Sequence, residues 1–224
     1  FRMAGERQDE RMQAVAIATQ LDYYYFQGTN EDSVIHYTNK VKEFAKATHQ
    51  PKYYYFAWAN RLITYYLKTS RTNIALYEVQ NMLKEAQEED DKTGLSRCYN
   101  IMSQIYTIKR FDSMAFEWRL KEIELTEKYK IENYNISQTY AQIANYYINQ
   151  KKQKEALAAV EEASATANSS TQQISAKLEF VNYYSKFGDF QAAEKLLKEC
   201  QAAFEQDKRL ESIKKRLYNI ECLY

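Results

Sequence analysis

Apolar residues recur along this chain at the three- and four-residue spacing of amphipathic helices, and a tyrosine recurs at one position of that pattern. The tyrosines that end successive apolar stripes are Tyr24, Tyr66, Tyr106, Tyr147, Tyr184 and Tyr224. They follow one another at intervals of 42, 40, 41, 37 and 40 residues, which is the length of a helical hairpin. The pattern therefore predicts an array of about five helical hairpins and a final half repeat, or roughly 11 helices.

The hairpin from Tyr140 to Ala163 shows the pattern most clearly. Its first helix carries a stripe that ends at Tyr147, a turn covers 149–153, and the second helix carries a facing stripe that begins at Ala156. Small residues such as Ala144 and Ala156 let the two helices approach closely, and the tyrosines fill the gap to the next hairpin. The full stripes are Tyr140, Ile143, Ala144 and Tyr147, then Ala156, Val160 and Ala163.

The other units repeat this arrangement with differences. The first is the least regular, and the third is read with a turn one residue shorter. The second unit carries Leu62, Ile63, Tyr66, Ala75, Val79 and Met82; the fifth carries Phe180, Val181, Tyr184, Ala193, Leu197 and Cys200; the third carries Tyr99, Met102, Ser103 and Tyr106, then Phe111, Met114 and Trp118; the first carries Leu21, Tyr24, Gly28, Ser33 and Tyr37.

Polar segments separate the units. Turns are predicted at 49–51, 88–94 and 168–171, with Ser170 and Gln173 as a capping box, whereas the apolar pattern of 116–130 continues as one long helix. As a single repeat domain, the chain then divides into units 8–50, 51–91, 92–132, 133–169 and 170–206 and a partial unit 207–224. Because Leu217, Ile220 and Tyr224 have the spacing of another first helix, we expect a fragment of a longer protein.

The order of large, small and tyrosine positions, then alanine, bulky and small positions, resembles the tetratricopeptide repeat over nearly the whole chain. The resemblance implies an all-α fold, a right-handed α–α superhelix of the tetratricopeptide type. The chain departs from the family in its period, near 40 rather than about 34 residues, and in having proline only at Pro51. The extra residues predict helices longer by one or two turns.

The composition is consistent with long helices and excludes several classes of enzyme. The chain has 4 glycines and 1 proline, too few for the turns and phosphate loops of sheet-rich folds and nucleotide enzymes. No GxGxxG, GxxxxGK[ST], HExxH or GxSxG motif occurs, and neither His36 nor His49 has a partner at a catalytic spacing. We therefore predict no enzymatic activity and no cofactor, with both histidines exposed.

The charge and the cysteine content argue against nucleic-acid binding, a disulfide framework and a metal site. Basic and acidic residues number 31 and 30, a net charge of +1 that predicts no nucleic-acid partner. No stretch is apolar for long enough to insert into a membrane. Cys98, Cys200 and Cys222 are odd in number and widely spaced, so we expect neither a disulfide framework nor a metal site. Cys200 falls at a small core position, which favours packing over a reactive thiol.

Polar residues recur on the first helices at positions that, in the tetratricopeptide family, line the concave groove. By this resemblance the groove residues are Asn60, Thr64, Lys68, Arg97, Asn100, Gln104, Gln138, Asn145, Asn149, Asn182 and Lys186. Asn and Gln both donate and accept, so such a column can pair with the main chain of an extended peptide, and Lys or Arg at the rim can hold a carboxylate. The alternative is that these side chains only cap helices and solvate the inner face.

Three stretches, Lys52–Trp58, Ile74–Glu78 and Lys121–Lys130, resemble the N-terminal tetratricopeptide region of bacterial membrane-bound sensor histidine kinases. That resemblance implies the sensor or regulatory region of a two-component protein, on the extracytoplasmic (periplasmic) side of the inner membrane. Its partner would be a peptide, a protein segment or a small signal molecule. The alternative is a freestanding cytoplasmic scaffold or co-chaperone, and a third option is a cytosolic peptide-pheromone regulator. Exposed ends of a helical stack also favour a homodimer.

Overall fold

The computed structural model describes residues 10–28 and 30–207, together with Leu210 and Ile213. Within these residues the chain forms ten helices and no strand, so the predicted all-α class is confirmed. The helices are α1 Glu10–Gln27, α2 Glu31–Ala47, α3 (α-helical Pro51–Ala57, π-helical Trp58–Ile63 and α-helical Thr64–Lys68), α4 Thr72–Glu88, α5 Lys92–Ile108, α6 Asp112–Tyr129, α7 Ile136–Asn149, α8 Gln153–Ala165, α9 Ser170–Phe187 and α10 Phe190–Gln206.

The chain divides into two compact parts, Phe1–Ile131 and Glu132–Tyr224. In the N-terminal part, consecutive helices pair as the hairpins α1/α2, α3/α4 and α5/α6, and α2 also packs on α3. In the C-terminal part the hairpins are α7/α8 and α9/α10, and α9 contacts both helices of the preceding hairpin. Each part therefore consists of helical hairpins whose neighbours share a core.

The recurring tyrosine has a backbone role at the end of each first helix. The carbonyls of Tyr66, Tyr106, Tyr147 and Tyr184 each accept a hydrogen bond from the amide five residues later, at 2.8–3.0 Å. The residue before that amide has a positive φ in every case, namely Ser70, Arg110, Lys151 and Gly188. This is the Schellman ending of a helix, and it fixes the tight turn into the second helix.

This turn explains the constant distance from the tyrosine to the small residue of the facing stripe. Nine residues after the four tyrosines lie Ala75, Ala115, Ala156 and Ala193, all fully buried. The facing stripes predicted for the second, fourth and fifth hairpins are confirmed as buried: Ala75, Val79, Met82, Ala156, Val160, Ala163, Ala193, Leu197 and Cys200. Burial of Cys200 confirms its packing role.

The facing stripe predicted for the third hairpin was wrong by one position. Phe111 and Met114 are exposed and Trp118 is half-buried, because the turn at 109–111 is as long as the turn at 69–71 and not one residue shorter. The buried stripe consists instead of Ala115, Arg119 and Glu122, with Ile123 and Thr126. Two charged residues thus occupy positions that are apolar or small in the other hairpins.

Two predicted boundaries also need correction. Ser33 is not the small buried residue of the first unit: Val34 is, because α2 begins seven residues after Tyr24, whereas α4 begins six residues after Tyr66. The segment 88–94 is not all linker, because α5 begins at Lys92 and Gly94 is buried in its first turn.

The predicted capping box is displaced by one residue. Ser169, not Ser170, accepts from the amide of Gln172, and the Gln172 side chain accepts from the amide of Asn168. The long helix predicted over 116–130 is confirmed by α6, which ends at Tyr129 with Lys130 in the left-handed region. The last predicted stripe, Leu217, Ile220 and Tyr224, lies outside the described residues.

Candidate functional site

The predicted groove residues of the N-terminal part lie on two first helices, α3 and α5. Asn60 and Thr64 are half-buried, and the Thr64 hydroxyl donates to the Ala59 carbonyl at 3.0 Å. Lys68 is exposed, with its Nζ 4.3 Å from the centre of the Tyr25 ring. The residues of α5 are Arg97, Asn100 and Gln104.

The π-helical segment of α3 gathers aromatic rings around an arginine. Arg61 lies in this segment, and its guanidinium carbon is 5.3 Å from the centre of the Phe56 ring, which belongs to the α-helical start of α3. The same carbon lies 5.1 Å from Tyr25 and 5.8 Å from Phe26 on α1, and Arg61 forms an ion pair with Asp22. Such segments often mark functional sites.

Arg97 is the least satisfied polar group of this region. Its Nε is buried and has no hydrogen-bond partner among the described residues, and its guanidinium carbon lies 5.9 Å from the Phe56 ring centre. Burial lowers the pKa of the Arg97 side chain, and in the described part of the chain no carboxylate forms an ion pair with it. A buried donor without an acceptor is costly, so an acceptor brought by a ligand would be favoured here.

We call the set Tyr25, Phe26, Phe56, Arg61, Lys68 and Arg97 the aromatic–arginine face. Phe26 and Phe56 are 72% and 43% exposed, so two rings remain accessible. Asp22 balances Arg61, whereas Lys68 and Arg97 have no ion pair within the described residues. The face therefore combines accessible aromatic surface with excess positive charge.

The sequence predicted Lys68 and Arg97 of this face but not its aromatic members. Phe26 and Phe56 stand beside tyrosines that mark the core, and a π-helical segment has no recognised sequence signal. The sequence signal for this face is an apolar residue that lies outside the buried stripe. Phe56 is such a residue, because it stands between the buried Tyr55 and the buried Ala57.

Asn100 is engaged within the protein. Its amide nitrogen donates to both carboxylate oxygens of Glu122, at 3.2 and 3.1 Å, and its oxygen accepts from Gln104 at 2.6 Å. Glu122 is only 1% exposed. Asn100 therefore helps to bury a carboxylate in the third hairpin, a role that the sequence did not indicate.

The C-terminal part contains a second asparagine network. The Asn182 amide donates to the oxygen of Asn145 at 2.7 Å, and the Asn145 amide donates to the buried Glu179 at 2.9 Å. The structure thus brings two of the predicted residues together. The others in this part, Gln138, Asn149 and Lys186, are exposed.

In the part of the chain that the structure describes, neither the aromatic–arginine face nor the asparagine networks contain a cluster of metal-binding side chains. Within the described residues, no group of three or more His, Cys, Asp or Glu side chains is arranged to hold a metal ion. His36 and His49 are exposed, as predicted. None of the helices in the described ranges has the length and apolar character needed to cross a membrane.

Comparison with known proteins identifies the fold but not a family. No protein-family model matches this sequence, and no curated protein matches it. A single-residue variant of a kinesin light chain-like protein from Podosopora anserina, with nearly identical TPR-like repeats, is similar in structure. It aligns with 89% of this chain and 97% of its own, at a TM-score of 0.60 and 13% identity.

Two further solved structures are similar. RapI in its apo form aligns with 98% of this chain at a TM-score of 0.70 and 14% identity, and this chain spans 59% of RapI. BtubC (BKLC) from P. vanneervenii aligns with 88% of this chain and 92% of its own, at a TM-score of 0.58 and 14% identity. The chain therefore has a TPR-like helical-repeat fold, as the sequence predicted.

Proposed function

We propose that this chain is a non-catalytic protein-binding repeat domain that holds an extended segment of a partner on the aromatic–arginine face. The TPR-like fold supports a binding role, because hairpin arrays present first helices side by side as a continuous surface. The observation that carries the proposal is the buried, unsatisfied Nε of Arg97 beside an accessible aromatic ring.

The partner segment is expected to carry an acidic side chain. A carboxylate next to Arg97 would satisfy its Nε through a charge-assisted hydrogen bond, which is stronger than a bond between neutral groups. Phe26 and Phe56 would contact an apolar neighbour of that carboxylate. Asn60 and Gln104, on the same two first helices, would pair with the main chain of the segment.

An array of immobilised peptides tests this function. Matched peptides that differ only by Glu or Gln are probed with the wild-type chain and with Arg97→Met, which keeps an unbranched apolar stem but removes the guanidinium and its charge. Preference for the Glu member, lost in Arg97→Met and kept in the exposed-site control Lys154→Met, is the expected result. Equal binding of both members by the wild type would contradict the proposal.

The sensor or regulatory role in a bacterial two-component protein, on the extracytoplasmic side of the membrane, is a further part of the proposal. It is supported by the resemblance of Lys52–Trp58, Ile74–Glu78 and Lys121–Lys130 to that kinase family. In this sensor role the ligand is a protein segment or a small signal molecule. Fusing a reporter active only outside the cytoplasm to the full-length gene product tests it, and a cytoplasmic full-length protein would favour the scaffold alternative.

A further inference from the structure

The first hairpin carries a cavity that is separate from the aromatic–arginine face. A groove of about 810 Å³ runs between α1 and α2 and shares no residue with the aromatic–arginine face. Its walls consist of Ala16, Ile17, Thr19 and Gln20 of α1 and Tyr37, Lys40, Glu43, Phe44 and Ala47 of α2. It is an open trough between two antiparallel helices, bordered by one basic and one acidic side chain.

Exposed apolar residues extend the groove along α1. Met12 and Tyr23 are 53% and 57% exposed, and they continue the helical stripe of Ala16 and Gln20 at spacings of three and four residues. A contiguous apolar surface of this kind on a soluble protein usually marks an interaction site.

The second hairpin shows what fills a groove of this kind in this chain. The first helices of the two hairpins are aligned on Tyr24 and Tyr66, which places Trp58 at the position of Ala16. The second helices are aligned on the buried Val34 and Ala75, which places Glu85 at the position of Phe44. In the second hairpin that surface is covered by a helix, α2: its Lys42 pairs with Glu85 and lies 5.1 Å from the centre of the Trp58 ring. The equivalent surface of the first hairpin carries the apolar Phe44 in place of Glu85, and no helix of the described residues covers it.

The charges on the groove are self-complementary. Lys40 and Glu43 are exposed, and neither forms an ion pair within the described part of the chain. The residues of α2 that line the groove lie almost symmetrically about position 42, with Tyr37 and Ala47 at the ends. When two identical helices pack antiparallel about a twofold axis between positions 41 and 42, Lys40 of each lies beside Glu43 of the other.

We propose that two copies of this chain associate through this groove, with α2 packed antiparallel to α2 of the second copy. Phe44 and Tyr37 of each copy then enter the groove of the other, and the two Lys40–Glu43 pairs flank the contact. The interface is isologous, so it closes at a dimer instead of continuing as a filament.

Charge reversal and subunit mixing test the dimer. Sedimentation velocity over a concentration series is run on the wild type, Lys40→Glu, Glu43→Lys and the equimolar mixture of the two variants. Each variant alone places like charges together at both pairs, which weakens association on the order of tenfold. In the mixture both pairs are attractive again, so a heterodimer returns at wild-type strength.

The mixture separates a weakened interface from a damaged fold, because two misfolded variants would not restore association to each other. Lys154→Glu, on the exposed surface of α8, is the control and is expected to dimerise like the wild type. A wild-type chain that stays monomeric at every concentration overturns the proposal. So does a mixture that associates no better than its separate components.

Discussion

The side-chain nitrogen of Asn100 on α5 donates to both carboxylate oxygens of Glu122 on α6, at 3.2 and 3.1 Å. Glu122 lies at the position where the neighbouring second helix of the N-terminal part has the apolar Met82, and it is almost fully buried. A buried carboxylate needs hydrogen-bond donors to offset its lost hydration. Asn100 is therefore part of the core of the third hairpin as well as a member of the predicted groove.

Replacing Asn100 should cost stability. Asn100→Ala removes donors from a buried carboxylate, so we expect the free energy of unfolding to fall by about 1–3 kcal/mol. Urea denaturation followed by circular dichroism measures the change. Asn39→Ala, at an exposed position of α2, should stay within about 0.5 kcal/mol of the wild type. Equal stability of the two variants would mean that Asn100 does not support Glu122.

Gly94 should not tolerate a methyl group. A Cβ at this position would lie 2.8 Å from Cζ of the buried Tyr55 and 3.1 Å from Cβ of Ala86. Although alanine is the better helix former by about 1 kcal/mol, overpacking of this kind costs about 1–3 kcal/mol, so Gly94→Ala should lower the melting temperature. Thr93→Ala, one residue earlier and exposed, should not. A more stable Gly94→Ala variant would contradict the close packing described for Tyr55.

Much of the fold could be predicted because a recurring tyrosine marks the end of the first helix in each of the second to fifth hairpins. The tyrosines of the second to fifth hairpins sit five residues before the amide that closes the helix, so their spacing reports where each helix turns. The alanines nine residues later follow from the same geometry. The interval from Tyr24 to the second helix is one residue longer than in the other hairpins, so the pattern predicts the small position at Ser33, whereas Val34 occupies it.

The rest could not be predicted because it depends on tertiary partners. Arg119 and Glu122 are charged, which is typical of surface residues, so the apolar pattern predicts the stripe of α6 at Phe111 and Met114. The burial of the two charged residues depends on tertiary partners that include Asn100 and the Thr107 hydroxyl, which lies 2.6 Å from Arg119. The π-helical segment that contains Arg61 has no local sequence rule, so the contact of Arg61 with Phe56 could not be predicted. The site prediction therefore named Arg97 without the rings beside it.

The stabilisation by Glu85 should depend on pH. Burial raises the pKa of Glu85, but hydrogen bonds from Lys42 and Tyr54 lower it by more, so its pKa lies below its ordinary value. A lowered carboxyl pKa contributes stability above the ordinary glutamate pKa of about 4.3, and the contribution is lost as the pH falls through the folded-state pKa.

Glu85→Gln isolates this contribution. The variant should be less stable than the wild type by about 1 kcal/mol at neutral pH, at the low end for charged hydrogen bonds because the pair is partly exposed. Urea unfolding at a series of pH values measures the difference, which should shrink as the solution becomes acidic. A difference that grows with acidification would show that the sign is wrong.

The described cysteines should resist alkylation in the folded protein. Burial, with a smaller effect of the Asp91 charge, raises the pKa of the Cys98 thiol to about 12, and burial raises that of Cys200 to about 11. Both thiols are therefore protonated at neutral pH and shielded from reagents. Iodoacetamide treatment with peptide mass spectrometry should leave both unmodified until urea unfolds the chain. Rapid labelling of Cys98 without urea would contradict its burial.

A double-mutant cycle between Arg97 and a ligand carboxylate tests the binding face most directly. The Glu peptide that binds best and its Gln counterpart are titrated calorimetrically into the wild type and into Arg97→Met. If the carboxylate meets the unsatisfied Nε of Arg97, the two changes are coupled by about 1–3 kcal/mol. Additive effects, with the Glu preference intact in Arg97→Met, would contradict the aromatic–arginine face as the binding site.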